Sequence, residues 1–137
     1  MERSCLWKRR FTILLLGLAI VGCAGVLPVQ DVNNAPVVTG SGKPATPDGV
    51  QKAIMAAGVS LNMRMAVIRP GLVQATYSPR GDFTAIMEVS YDTKAYSIRY
   101  KSSDGLNYDP QARTIHKNYN SWVTNLQKRI DSQLSLL

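Results

Sequence analysis

Residues 83–101, FTAIMEVSYDTKAYSIRYK, decide the fold because they contain two strand patterns with a turn between them. Apolar and polar side chains alternate over 83–91 and again over 95–101, which is the two-residue period of a strand with one buried face. The intervening Asp-Thr-Lys at 92–94 has the composition of a tight turn. The stretch therefore predicts an antiparallel hairpin.

The two faces of this hairpin differ in their chemistry. The face that we expect in the core carries Phe83, Ala85, Met87, Val89, Tyr91, Tyr96, Ile98 and Tyr100. The opposite face carries Thr84, Glu88, Ser90, Ser97, Arg99 and Lys101, with Ile86 as an apolar exception. This division predicts one face that packs in the interior and one open face that contacts water.

Two more strands are predicted before the hairpin. They cover 63–69 and 72–79, and Pro70-Gly71 forms the turn that separates them. Pro79-Arg80-Gly81-Asp82 supplies the turn into the hairpin. Short turns join antiparallel neighbours, so the sequence predicts a four-stranded antiparallel meander.

A helix is predicted on each side of the meander in the sequence. Thr46 supplies an N-cap hydroxyl, Pro47 suits the first helical position and Gly58 is typical of a helix end, so we expect a helix over 47–57. From 115 to 134 the apolar residues recur at spacings of three and four, which predicts a second amphipathic helix. The expected fold is a single α+β domain over 47–137, with the N-terminal and C-terminal helices packed on one face of the sheet.

The first 22 residues have the composition of an export signal. Arg3, Lys8, Arg9 and Arg10 precede an apolar run from Phe11 to Val21. That run is about half as long as the roughly 20 residues that a membrane-spanning helix needs. Removing residues 1–22 takes away these four basic residues and Glu2, which lowers the formal net charge from +7 to +4. The remaining charge gives little support to a nucleic-acid partner, and we expect none.

Ile20-Val21-Gly22-Cys23 resembles the lipobox of bacterial lipoproteins. The resemblance implies cleavage before Cys23, acylation of its sulfur and attachment to a membrane through the lipid. Ala24 and Gly25 follow without an aspartate, and the resemblance to enteric lipoproteins that lack Asp after the lipidated residue implies the periplasmic leaflet of the outer membrane. Secretion after ordinary cleavage near Ala24-Gly25 is the alternative.

Residues 23–46 are predicted to be the lipidated cysteine followed by a flexible tether. Pro, Gly, Asn, Ser and Thr are mixed with isolated valines, with neither helical nor strand periodicity. We therefore expect the tether to hold the folded domain at a distance from the bilayer surface. Cys5 leaves with the signal and Cys23 becomes a thioether, so no thiol chemistry and no cofactor are expected in the domain.

Residues 96–126, YSIRYKSSDGLNYDPQARTIHKNYNSWVTNL, resemble a family of small, mostly uncharacterised bacterial lipoproteins. That family pairs a Tyr-Ser-Ile-x-Tyr strand with an Ile-His-x-Asn-Tyr-Asn-x-Trp helix start, and the similarity extends more loosely back through Pro70-Gly71. Asn62 and Met63 depart from the pattern, since the family would have an aromatic residue there. The resemblance implies an envelope location and a compact α+β fold, and it implies no activity.

His116 is the candidate for acid–base chemistry. Ser102, Ser103, Asp104 and Asp109 precede it, but no Gly-x-Ser-x-Gly sequence presents a nucleophile, so a Ser-His-Asp hydrolase is the minor hypothesis. A metal site needs three or four ligands, which one histidine and scattered aspartates do not supply. The favoured interpretation is that the His116 ring caps a backbone N–H at a helix start or binds a loop carbonyl.

Two groups of polar residues are candidates for binding. Four basic residues could form a patch on the open sheet face or its rim that meets lipid phosphates, lipopolysaccharide or an acidic partner: Arg64, Arg69, Arg99 and Lys101. Glu88 and Asp92 dilute this positive charge, so the favoured interpretation is that these residues are solvated strand ends. The candidates at the second helix are His116, Asn118 and Asn120.

The second group could form a polar patch for a sugar or peptide together with Tyr119 and Trp122. The interpretation that we favour puts these two aromatic residues in the core. The same interpretation predicts that Asn118 and Asn120 form hydrogen bonds with the loop over 102–109.

The sequence favours a non-enzymatic lipoprotein of the cell envelope, a membrane-tethered binding or structural module for an envelope protein or glycan. Its candidate contact surfaces are the open sheet face, a free edge strand and the loop before His116. The alternative is a small periplasmic hydrolase or enzyme accessory factor that uses His116.

Overall fold

The computed structural model describes residues 25–137, and the predicted signal and Cys23 lie outside this range. In chain order, its elements are β1 (Val26–Pro28), β2 (Val32–Pro36), α1 (Pro47–Ser60), β3 (Arg64–Arg69), β4 (Leu72–Tyr77), β5 (Thr84–Tyr91), β6 (Ala95–Asp104), β7 (Thr114–His116) and α2 (Lys117–Leu134). The predicted α+β class is confirmed.

The main sheet has five antiparallel strands in the order β2-β6-β5-β4-β3. Strands β3 to β6 follow one another as neighbours, and β2 adds a strand beside β6 that the sequence did not predict. A separate two-stranded ribbon pairs β1 with β7. The observed sheet arrangement therefore differs from the predicted four-stranded meander.

Residues 26–36 form β1 and β2, where the sequence predicted a flexible tether. Val32 and Ala35 pair with β6 and are buried. The strand pattern is irregular because Asn34 has a positive φ of 51° and the register shifts between Val32 and Ala35. This irregularity breaks the two-residue period, so sequence periodicity alone missed the strand. The folded domain begins well before the predicted boundary at residue 47.

The start of α1 follows the prediction and its end does not. The Thr46 hydroxyl accepts a hydrogen bond of 3.1 Å from the Gly49 N–H. The helix continues through Gly58 to Ser60. A Cβ at Gly58 would collide with the Met65 side chain, so this glycine permits close packing of helix and strand and does not end the helix.

The turn predicted at 92–94 joins β5 to β6. The Asp92 carboxylate accepts hydrogen bonds from the backbone N–H groups of Lys94 and Ala95, at 2.7 and 2.8 Å. These bonds favour the charged form and lower the pKa of Asp92. The turn residue therefore has a local structural role that its position in the sequence predicted.

Both helices pack on the same face of the main sheet. Met65 lies against α1 at Gly58, while Tyr96 reaches α2 at Asp131. The cross-strand register places Met65, Ala75, Met87 and Tyr100 on one face, and Tyr96 alternates onto that face. The buried residues of α2 are Tyr119, Val123, Leu126, Ile130 and Leu134. The other face is more open: Ser90, Arg99 and Lys101 are exposed there, and Ile86 and Glu88 are partly exposed.

The core follows the predicted pattern closely on β5 and less closely elsewhere. Ala85, Met87, Val89, Tyr96 and Ile98 are buried as expected. Ser97, which was assigned to the open face, is buried because β2 covers it, and its hydroxyl accepts a hydrogen bond from the Asn34 N–H. The second helix begins at Lys117 and not at 115, because Ile115 and His116 belong to β7.

Candidate functional site

His116 is the N-cap residue of α2. Its backbone N–H donates to the Leu106 carbonyl at 2.9 Å, which fixes the residue at the end of β7. Its ring nitrogen Nδ1 accepts a hydrogen bond of 3.2 Å from the Asn118 N–H. The ring thus satisfies a backbone donor that the first turn of a helix leaves without an intrahelical partner. The prediction that His116 caps a helix N–H is confirmed.

Two of the hydroxyl and carboxyl groups that a Ser-His-Asp site would draw on have other partners. The Asp109 carboxylate accepts from the N–H groups of Gln111 and Ala112, at 2.9 and 3.2 Å. The Ser103 hydroxyl shares a hydrogen bond of 2.8 Å with the Tyr100 hydroxyl. Within residues 25–137, no hydroxyl or carboxylate is hydrogen-bonded to the His116 ring, and no cluster of three or more acidic, His or Cys residues could hold a metal.

Asn120 holds the connection between β1 and β2 on α2. Its Oδ1 accepts from the Gln30 N–H at 2.9 Å, and its Nδ2 donates to the Pro28 carbonyl at 2.9 Å. The Gln30 side chain adds a hydrogen bond of 3.1 Å to the Thr124 hydroxyl. The hypothesis that Asn120 bonds to the loop over 102–109 is therefore wrong, because this asparagine contacts the segment that was predicted to be a tether.

A shallow polar groove runs beside the first half of α2. It is lined by Leu27, Gln30, Lys117, Asn118, Asn120, Ser121, Thr124 and Asn125. Tyr119 is fully buried, and Trp122 packs against Tyr77 and Phe83 with ring centroids 4.8 and 5.5 Å apart. The interpretation that placed these aromatic residues in the core is confirmed for Tyr119, whereas Trp122 is only partly buried against it. The groove offers no aromatic ring for stacking on a sugar.

Arg99 and Lys101 lie together on β6 and are not part of the group at the start of α2. The Arg99 guanidinium donates to Asn33 Oδ1 at 3.1 Å. Lys101 Nζ lies 2.6 Å from Glu88 Oε1 in a partly exposed ion pair. Glu88 neutralises part of the positive charge of Arg99 and Lys101, as its position in the sequence predicted.

Sequence reasoning missed a polar cluster around Asp31, between β1 and β2. Asp31 Oδ2 accepts from the Arg113 guanidinium at 3.2 Å, while Oδ1 is buried without a hydrogen-bond partner among the described residues. Burial, followed by the charge of Asp31, raises the pKa of the Tyr119 hydroxyl, which therefore stays protonated at neutral pH. The sequence did not single out Asp31 because this residue lies in the segment that was predicted to be a flexible tether.

The edge of the main sheet at β3 is the other candidate surface. The neighbour of β3 is β4, and no residue from 25 to 137 pairs with its other side. Val67 and Ile68 are 44% and 50% exposed, although both are large aliphatic residues. Arg64 and Arg69, at the two ends of the strand, are also exposed. The edge thus combines backbone groups without a strand partner, an apolar centre and two positive ends.

The comparisons with known proteins assign no relative. No family model matches the chain, and no curated protein or solved structure shows a detectable similarity. The class that the structure defines is an α+β domain with an open-faced antiparallel sheet. Neither helix in the range 25–137 is both long and apolar enough to cross a membrane.

Proposed function

We propose that this chain is a lipid-anchored, non-enzymatic protein of the bacterial cell envelope whose domain binds another envelope protein. The observation that carries the proposal is the lipobox-like Ile20-Val21-Gly22-Cys23 after a basic and apolar leader. Acylation of Cys23 would hold the domain at a membrane without a spanning helix. Ala24 and Gly25 favour the periplasmic leaflet of the outer membrane, and the resemblance to small lipoproteins supports the same location.

The exposed edge of β3 is the proposed recognition surface. An extended peptide can add to an exposed sheet edge through main-chain hydrogen bonds, with side chains giving specificity. The opposite edge strand, β2, suits this less well because it contains Pro36, whose nitrogen has no hydrogen to donate. Both edge strands have a register shift, which in β3 lies between Val67 and Arg69. The six residues of β3 include no proline.

The side chains of β3 define the chemistry of the partner. Val67 and Ile68 offer apolar contact, and Arg64 and Arg69 place a positive charge near each end. Antiparallel pairing of two copies in matched register would oppose Arg64 of one copy to Arg69 of the other, and directly opposed like charges destabilise a strand pair. A second copy is thus disfavoured. The fitting partner is an extended segment with an apolar centre and acidic ends.

A glycan is the less favoured partner. Sugar recognition commonly uses aromatic faces, whereas the polar groove beside α2 has none and Tyr119 is buried. The hydrolase alternative depends on His116, whose Nδ1 already accepts a hydrogen bond from a backbone N–H. Both alternatives lack an observation that favours them over recognition at the β3 edge.

Replacement of Cys23 by Ser tests the anchor. The hydroxyl cannot take the place of the thiol in acylation, so the Cys23→Ser protein should keep its leader and incorporate no labelled fatty acid. Mass spectrometry and acyl labelling measure these changes. Cys5→Ser is the matched control and should mature normally. Normal acylation of the Cys23→Ser protein would rule out the proposed anchor.

Site-specific photo-crosslinking in cells tests the recognition surface. A photoreactive residue at the exposed position Ala66 on β3 should give a defined adduct, whereas one at the exposed position Lys128 on α2 should not. Reversal of both end charges, Arg64→Glu with Arg69→Glu, should remove the adduct, and Lys128→Glu with Arg129→Glu should leave it. The crosslinked peptide should be apolar with acidic flanks. An adduct that survives the reversal on β3 would contradict the proposed charge complementarity.

A further inference from the structure

Gly25 is fixed to the start of α2. The Gly25 carbonyl accepts a hydrogen bond of 2.7 Å from the Lys117 N–H, and Val26 pairs with His116 in the ribbon of β1 and β7. Gly25 also has a φ of +107°, a backbone conformation that glycine adopts without strain. The chain therefore enters the folded domain at one defined place, beside the N-terminus of α2.

Covalent geometry limits how far Cys23 can lie from that place. Consecutive Cα atoms are about 3.8 Å apart, so the Cα atom of Cys23 lies within about 7.6 Å of the Cα atom of Gly25. If Cys23 is acylated, as the proposed function requires, the lipid begins within two residues of the folded domain. The long tether that the sequence predicted would then not separate the domain from the membrane.

We propose that the anchor end of the domain, formed by Gly25, Leu27, His116, Lys117 and Asn118, rests on the surface of the phospholipid bilayer. This inference rests on the proposed acylation of Cys23. The acyl chains enter the hydrocarbon region, so the residue that carries them lies at the interface. The short link then holds the anchor end against the headgroups.

The side chains of the anchor end suit that environment. Leu27 is 48% exposed, although it is a large aliphatic residue. Lys117 is exposed and forms no ion pair with any residue between 25 and 137, which leaves its ammonium free to meet a lipid phosphate. Asn118 and Ser121, both exposed, line the adjoining groove and can exchange hydrogen bonds with headgroups. None of the residues that line the groove is acidic.

The bound orientation follows from the direction of α2. Asn118 is in its first turn and Ser132 in its last, both exposed. At about 1.5 Å per residue they are roughly 21 Å apart along the helix axis. A domain that rests on its anchor end therefore holds Asn118 close to the bilayer and Ser132 well above it.

Spin labels at these two positions test the inference in the full, processed chain. Acylation consumes the Cys23 thiol and Cys5 leaves with the signal, so Asn118→Cys and Ser132→Cys each provide a single free thiol. In phosphatidylethanolamine and phosphatidylglycerol vesicles doped with a nickel-chelating lipid, the label at 118 should relax several-fold faster than the label at 132. Mass spectrometry of the same samples reports acylation.

A flexible insertion provides the matched control. About 12 Gly and Ser residues between Ala24 and Gly25 keep the lipobox intact and add an average reach of about 20 Å. The difference between the two labels should then disappear. Equal relaxation at both positions in the acylated chain without the insertion would overturn the inference and leave the proposed function standing. Absence of the acyl mass would overturn both.

Discussion

The Tyr96 hydroxyl donates a hydrogen bond of 2.5 Å to Asp131 Oδ1, and this contact ties the start of β6 to the last turns of α2. The Tyr96 ring is buried in the core, so only its polar end reaches the carboxylate at the surface. Burial and the neighbouring Asp131 raise the pKa of the hydroxyl, which stays a donor at any physiological pH. One side chain thus packs the core and fixes the position of the helix.

Replacing Tyr96 by Phe should lower the free energy of unfolding by about 1–2 kcal/mol, because the ring stays and the hydrogen bond to a charged acceptor is lost. Tyr119→Phe is the matched control. That hydroxyl has no hydrogen-bond partner among the described residues, so its removal should cost less. Urea unfolding at pH 7 measures both values. An equal cost at the two positions would show that the Asp131 contact contributes nothing.

The same two tyrosines predict a loss of stability in base. The folded pKa of each lies above the value of about 10 for an unfolded chain. The unfolded state therefore releases these protons first, and the free energy of unfolding falls as pH rises above about 10. Below that pH both groups are protonated in both states and contribute no slope.

Urea unfolding between pH 8 and 11 measures this slope. The combined variant Tyr96→Phe with Tyr119→Phe should be less sensitive to base than the native chain, because it lacks both hydroxyls. If the two proteins lose stability in parallel, other groups cause the alkaline unfolding.

The Asn120 side chain should contribute to the free energy of unfolding, whereas the nearby Asn118 side chain should contribute little. Asn120→Ala removes hydrogen bonds to the Gln30 N–H and the Pro28 carbonyl, so we expect a loss of about 1–3 kcal/mol. Asn118→Ala changes an exposed side chain and should stay within about 0.5 kcal/mol of the native value. Hydrogen exchange at the Gln30 amide should accelerate in the first variant alone. Unchanged protection there would mean that Asn120 does not hold the β1–β2 connection.

Much of the main sheet could be predicted from the sequence because its strands are regular. The alternation on β5 located Ala85, Met87 and Val89 correctly, and local turn chemistry located Asp92. Strand β2 could not be found in the same way, since the positive φ of Asn34 interrupts its period. Long-range pairing of β2 with β6 compensates for this weak local pattern.

The candidate site was predictable only where it depended on local structure. The capping role of His116 follows from a polar ring just before an amphipathic helix, and the structure confirms it. The bonds of Asn120 cross 90 and 92 residues to Gln30 and Pro28, and no sequence period reports such contacts. The cluster at Asp31 escaped notice for the same reason, because its partner Arg113 is 82 residues away.

Trp122 should contribute less than the fully buried residues of α2. Its ring packs against Tyr77 and Phe83 but is only partly buried, so Trp122→Ala should cost about 2 kcal/mol, below the roughly 3–5 of a buried aromatic ring. Trp122→Phe keeps an aromatic ring there and should cost less. A change under about 0.5 kcal/mol in the alanine variant would show that the ring does not stabilise the fold. Urea denaturation followed by circular dichroism avoids dependence on the tryptophan signal.

Substitutions of His116 distinguish a structural role of this residue from an enzymatic one. His116→Ala removes the acceptor for the Asn118 N–H and should cost about 1 kcal/mol, whereas His116→Asn can supply another cap acceptor and should cost less. Neither alanine nor asparagine can transfer a proton near neutral pH, so an enzyme that uses His116 would lose its function in both variants. We expect the folded, membrane-localised His116→Asn protein to restore the envelope phenotype of a gene deletion. Complete loss of complementation at unchanged stability and abundance would favour the hydrolase hypothesis, because the asparagine variant preserves the cap and removes the only imidazole in the chain.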